Sequence, residues 1–409
     1  MRLTGGGYMN RHWVTVVSVA AILVVSCGGG PTAPSAANGA PYTVGYIGSL
    51  TGSLASDWTS HKDGVNGYFY YTNQHGGVNG HPVNLVVRDD GSTDVAKAQT
   101  AFVEMRDQIK PSAILGLGSS ATAEPLVPQL NVAQIPLIST GIAASDLKYP
   151  YMYIGSFLFA SEGATQVEFV KTLATAGSIP KIALLTAGSP AGEGFKAQVE
   201  KSMKAEGWGA PVYEQALPVA QPLTDLLPQA RQIVTAKADY VLGTIFTVYP
   251  VPLMRALAQV GFNGKVVTNF AGGNSNLLAQ VNNPDFYTTQ GFNYLKPGSK
   301  ADVKTIVDSV QAAGGTTTGN DILQATGWVG GALVVAALKK CGYPCPGPKM
   351  KEALDSIGLI GDPQNAAAAP VGLTATDHIA VKSEVVYHFV NGQTEAVTGA
   401  LALPTIAPQ

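Results

Sequence analysis

From Tyr42 onward, short apolar runs alternate with longer stretches whose apolar residues recur at helical spacing, which predicts repeated strand-helix units. Tyr42 to Ile47 reads as a strand closed by Gly48-Ser49-Leu50-Thr51-Gly52, and Asp63 to Asn73 as a helix. Pro82 to Val87 is the next strand, Asp94 to Ile109 a helix, Ala113 to Leu117 a strand, Ala123 to Asn131 a helix and Pro136 to Ser139 a strand. A second series follows, with helices over Glu162 to Ala176, Gly192 to Glu206, Leu223 to Ala236 and Leu253 to Val260. Its strands are Lys181 to Thr186, Val212 to Ala216, Tyr240 to Thr244 and Lys265 to Asn269. Repetition of this unit implies an α/β fold of parallel sheets with helices on both faces. Two such series suggest two lobes with a cleft between them, where ligands sit outside the carboxyl ends of the strands.

The pattern ahead of Tyr42 is different. Trp13 to Val25 is an uncharged, largely apolar run preceded by Arg2 and Arg11, too short to span a bilayer and shaped like the core of a secretory signal. Val24-Val25-Ser26-Cys27 then reads as a lipobox, which makes Cys27 the expected lipidated residue and 1–27 the expected signal. An ordinary signal with an incidental cysteine is the alternative, and Met9 is a second candidate start. Residues 28–41 carry no charge and are rich in Gly, Pro, Ala, Ser and Thr, the composition of a flexible tether. Multiple acyl chains anchor stably where one does not, so the folded part is expected at the cell envelope, on the outer face of the cytoplasmic membrane.

Composition narrows the partners. Lys plus Arg is 25 against 27 for Asp plus Glu, so there is no basic surplus to neutralise phosphate, and nucleic acid is excluded as an expected partner. Cys341 and Cys345 remain after Cys27, and in an oxidising compartment they read as a disulfide. They lack a second ligand pair at zinc spacing, so no metal is expected.

Three ordered segments resemble the opening of branched-chain amino acid binding proteins of ABC importers. These are Ile47-Gly48-Ser49-Leu50-Thr51-Gly52, Asn73-Gln74-His75-Gly76-Gly77-Val78-Asn79-Gly80, and Arg88-Asp89-Asp90-Gly91-Ser92-Thr93-Asp94. Gly118-Ser119-Ser120, Pro125 and Ile135-Pro136-Leu137-Ile138-Ser139 continue the likeness in register. The resemblance implies a type I periplasmic-binding-protein fold: two lobes, each a parallel sheet flanked by helices, joined by a three-strand hinge over a central ligand cleft. It places one lobe at 42–158 and 296–372 and the other at 159–295 and 373–409. It also implies a monomer without cofactor, partnered by a small-molecule solute, an ABC transporter permease and, through the lipid anchor, the membrane.

Site residues follow from the same likeness. The family holds a ligand carboxylate where Ser119 and Ser120 stand, and a helix N-terminus there offers free N–H groups to an anion; capping of the next helix is the competing role for Ser119. A family threonine falls on Ala143, leaving the backbone N–H groups of Gly141, Ile142 and Ala143 as donors. The family's acid for the ligand ammonium is missing, because the corresponding stretch reads Asn269-Phe270-Ala271-Gly272-Gly273-Asn274. Asp57 is the candidate substitute; failing that, the ligand is not a standard branched-chain amino acid, since a buried unpaired ammonium is costly. Trp58, Phe246, Tyr249 and Phe270, beside Ala271, are aromatic cleft candidates suited to a flat or apolar solute, with core packing as the alternative for Phe246 and Phe270.

Enzyme chemistry finds little purchase. There is no Gly-x-Ser-x-Gly elbow, His-Glu-x-x-His or phosphate loop, and Gly116-x-Gly118 is half a dinucleotide fingerprint without its acid. Asp89-Asp90 reads as helix capping rather than a catalytic pair, and His61, His75 and His81 as loop residues. A sensory receptor domain and an amide- or urea-type binding protein are the alternative outputs of the same fold.

Overall fold

Strand-helix alternation builds two separate sheets in the computed structural model, which describes residues 37–141 and 143–406. The signal-like run, Cys27 and the tether as far as residue 36 lie outside the described residues, as do Ile142 and 407–409. The first sheet contains β1 (Tyr42–Gly48), β2 (Val83–Asp89), β3 (Ile114–Gly116), β4 (Leu137–Ser139) and β5 (Met152–Ile154), in the order β2-β1-β3-β4-β5. All its pairings are parallel. Helices α1 (Ala55–Gln74), α2 (Val95–Glu104), α3 (Ser120–Ala123) and α4 (Val127–Val132) connect its strands.

The chain then crosses to the second sheet. It alternates α5 (Phe159–Leu173), β6 (Ile182–Ala187), α6 (Pro190–Ala205), β7 (Tyr213–Leu217), α7 (Leu227–Thr235), β8 (Tyr240–Thr244), α8 (Pro250–Gln259), β9 (Lys265–Thr268), α9 (Ser275–Val281) and β10 (Phe286–Gln290). It returns to place α10 (Val303–Ala312) and α11 (Asp321–Cys341) against α1, with α12 (Gly347–Ser356) on α11, followed by the hairpin β11 (Gly358–Gly361) and β12 (Val371–Leu373). It crosses once more into β13 (Ser383–Val390), β14 (Gln393–Ala396) and β15 (Leu401–Ala402).

The second sheet keeps the expected parallel core, β6 to β10, and adds antiparallel strands at one edge: β13 joins β10 antiparallel, and β14 and β15 pair antiparallel with β13. A strand that re-enters by a crossover from the other lobe can take either direction, because no local βαβ connection constrains it.

Helix α1 starts eight residues ahead of the expected Asp63. Polar residues and Gly64 and Gly67 dilute its amphipathic signal, yet packing requires them: a Cβ on Gly64 would lie 2.0 Å from Gln324 O of α11, and one on Gly327 2.0 Å from His61 O. Close approach of the two helices outweighs glycine's poor helix propensity. Helix α11 is apolar on all sides and almost wholly buried, as a core helix is. His61 belongs to α1, not to a loop. It is buried against Tyr46 and Trp58, Tyr46 Oη meets its Nδ1 at 3.1 Å, and burial pushes its pKa down to about 3.

Candidate functional site

The strand ends of the two sheets face one another across a cavity of about 430 Å³. From the first lobe come Ser119, Ser120 and Gly141, and from the second Ser189, Val219 and Phe246, each placed by the turn that follows a strand. Phe159, at the first turn of α5, closes one side. Among the described residues no charged side chain lines this cavity.

Local bonding fixes its first wall. Leu117 turns the chain with φ 47° after β3, and Ser139 Oγ donates to Leu117 O at 2.9 Å, tying the ends of β3 and β4 together. Ser119 occupies the N-cap position of α3, but its hydroxyl makes no capping bond, which leaves it free for another acceptor or donor. Ser120 Oγ accepts the Ala191 N–H at 3.2 Å, so its hydroxyl meets the first turn of α6 in the opposite lobe.

Further bonds cross between the lobes. Ser53 Oγ donates to Val219 O at 2.9 Å, and Thr247 Oγ1 donates to Asp57 Oδ2 at 2.7 Å. Trp58, 5% exposed, packs with Leu54 against Ala187, Val219 and Phe246, an apolar bridge beside the cavity. The lobes are closed on each other.

Asp57 is not on the wall of this cavity. Its other oxygen accepts from Asn320 Nδ2 at 3.1 Å, and it faces a second, smaller hollow of about 200 Å³ shared with Thr247, Asn274 and Asn320. Burial pushes its pKa up to about 6, opposed by the donors Thr247 and Asn320. With both oxygens engaged, Asp57 is a latch between lobes rather than a free counter-charge for a ligand ammonium.

Other expected contacts also fall behind the wall. Tyr249 is buried, its Oη donating to Pro218 O at 2.5 Å and accepting from Leu223 N–H at 3.2 Å, so it braces the loop that carries Val219. Phe270 packs edge-on against Phe157 and Phe159, with Ala271 buried beside it, which is the core-packing alternative for that ring. Ala143 precedes a 3-10 turn and does not reach the cavity, and Ile142 lies outside the described residues. Phe159, Ser189 and Val219 are cavity residues that the sequence reading passed over. Their signal was position alone, since the last two follow an expected strand end.

Asp89 and Asp90 clamp loops instead of capping a helix. Asp89 accepts from Leu50 N–H, Thr51 N–H and Oγ1, Gly91 N–H and Lys97 Nζ. Burial opposes its ionisation, yet these donors hold its carboxyl well below the usual range. Asp90 accepts from Ser49 Oγ and Ser92 N–H, while Asp94 caps α2 through Lys97 N–H at 3.0 Å. Cys341 and Cys345 are joined by a disulfide, and among the described residues no group of three His, Cys, Asp or Glu is arranged to hold a metal.

The family model described as periplasmic binding protein matches residues 41–393. The chain belongs to the periplasmic binding protein family. Its fold is that of solved binding proteins at low identity. A Thermus thermophilus branched-chain amino acid ABC transporter protein with bound valine aligns at TM-score 0.78 and 17% identity, covering 88% of this chain and 96% of that one. A Rhodopseudomonas palustris solute binding protein in complex with 4-hydroxybenzoate aligns at 0.75 and 19%, covering 89% and 97%. A fatty acid ABC transporter substrate-binding protein from Thermomonospora curvata aligns at 0.75 and 19%, covering 89% and 92%. No curated protein matches the chain by sequence.

Proposed function

We propose that this chain is an extracytoplasmic solute-binding lipoprotein, tethered through Cys27, that captures a small carboxylate or a neutral polar or aromatic compound and hands it to an ABC transporter permease. The observation that carries the solute class is the cavity wall: Ser119, Ser120 and Ser189 together with Phe159 and Phe246, and no charged side chain among the described lining residues. An amino acid's ammonium buried there would have no counter-charge, and Asp57 is already bonded to Thr247 and Asn320. A carboxylate fits better, because the Ser119 hydroxyl makes no capping bond and the Ser120 hydroxyl, which accepts from Ala191 N–H, still has its own proton to donate. The R. palustris relative, which binds an aromatic acid, supports that class.

Function is capture, with no chemical step. Solute binds to one open lobe, and closure forms the Ser53, Ser120 and Asp57 bonds across the cleft, so affinity is coupled to the population of the closed state. On this reading the lobes divide at 42–158 with 296–372 against 159–295 with 373–409, and the protein acts as a monomer at the outer face of the membrane. Native mass spectrometry of the purified protein, followed by denaturation, tests the class: release of an organic acid or neutral aromatic supports it, and release of leucine, isoleucine or valine refutes it.

A further inference from the structure

Two fully buried carboxyl groups meet where the lobes are joined, and neither lines the solute cavity. Glu162 lies in the first turn of α5, just after the crossover 155–158, and Glu384 is the second residue of β13, just after the returning crossover that ends at Lys382. Thr289, between them, is the next-to-last residue of β10 and leads into the remaining crossover. The three crossovers run side by side: Val381 N–H donates to Ser156 O, Ala368 N–H to Gly291 O, and a Cβ on Gly291 would lie 2.5 Å from the Phe157 ring and 2.8 Å from Val381.

Both glutamates are 0% exposed. Glu162 Oε1 accepts from the Phe270 N–H at 2.9 Å and from Thr289 Oγ1 at 3.0 Å, so it holds the turn that backs the cleft. Its other oxygen and both oxygens of Glu384 have no hydrogen-bond partner among the described residues. The groups bearing on the pair are the hydroxyls of Thr165 from α5 and Thr289 from β10, and the two carboxyls themselves. No described cation bears on either; Lys382, two residues from Glu384, is committed to Asp377 at 2.6 Å. Three orphan carboxyl oxygens with no cation need a proton to be tolerable.

We propose that Glu162 and Glu384 are a proton-sharing positioning pair. One shared proton lets one carboxyl donate to the other, drawing the first and third crossovers together and holding the Phe270 turn. Ionisation of both drives them apart and loosens the closed cleft. Burial first, and for Glu162 its neighbour next, push both carboxyls upward in pKa, in keeping with a proton retained near neutrality.

The sign is then set. The unfolded chain releases these protons at about pH 4.3, while the folded protein keeps one, so stability falls as pH rises above that value. The test needs no solute and so stands or falls apart from the assignment of cargo. Melting temperatures of the full chain, E384Q and E162Q are compared at pH 4.5 and pH 8, with solution X-ray scattering at both. E384Q should match wild type at pH 4.5 and exceed it at pH 8 by roughly 2–4 °C or more, and wild type alone should expand at pH 8. Equal pH profiles for wild type and E384Q would overturn the proposal. If a variant fails to fold, infrared difference spectra of wild type between pH 5 and 9 decide: loss of a buried protonated-carboxyl band supports the shared proton, and no such band overturns it.

Discussion

Thr247→Val removes the hydroxyl that reaches across the cleft to Asp57 and little else, because valine keeps the branched shape. The bond is 2.7 Å long and ends on a buried carboxylate that Asn320 also holds. A hydrogen bond to a charged group contributes about 1.5–3 kcal/mol, more than a neutral one. Only the closed state contains it, so the loss falls on the closing equilibrium, by about 10- to 150-fold. Affinity for solute should drop by as much as the closed fraction of the free protein falls, which reaches that full factor only where the free protein is already mostly open. Solution X-ray scattering of the solute-free variant should show a larger radius of gyration, with the melting temperature little changed, because each lobe keeps its own core. A double-mutant cycle with Asp57→Asn isolates the pair. Unchanged scattering and unchanged affinity in Thr247→Val, or strict additivity in the cycle, would refute the latch.

Asp57 also makes a pH prediction. Its carboxyl releases its proton at about pH 6 in the folded protein against about 3.9 unfolded, a difference of about 3 kcal/mol in the cost of burying the charge. Stability from this group is greatest below pH 4 and is lost as pH rises through 6, so Asp57→Asn should gain on wild type between pH 4 and pH 7 in thermal denaturation; parallel curves would count against the buried charge. Ser120→Ala removes the acceptor for Ala191 N–H and the donor offered to a carboxylate, and calorimetry should show binding of an organic acid weakened by roughly 1–3 kcal/mol. An unchanged affinity would leave Ser120 a bystander.

Strand-helix alternation was legible because strands in both series, such as Tyr42 to Ile47 and Tyr240 to Thr244, are compact apolar runs. Helix ends were less so. The first half of α1 is polar on the page but buried in the fold, because Asp57, Ser60 and Asp63 are consumed by bonds to residues some 190 to 260 positions away. Local pattern carries no trace of such partners. The same limit shaped the site. Ser119, Ser120, Gly141 and Phe246 could be placed at strand ends by periodicity and family likeness, and they reach the cavity. Tyr249 and Phe270 share that position in the chain, yet rotate inward, since the Pro218 carbonyl and the Phe157 ring give them better partners than solvent. Which face a strand-end aromatic takes is decided by residues of another element.

Isothermal calorimetry of the purified protein against 4-hydroxybenzoate, benzoate, leucine, isoleucine and valine tests the central claim most directly. An uncharged wall with serine donors and two phenylalanines should bind at least one aromatic acid and none of the three amino acids, with the aromatic acid's affinity reduced in Ser120→Ala. Binding of leucine, isoleucine or valine with no response to either acid would contradict it.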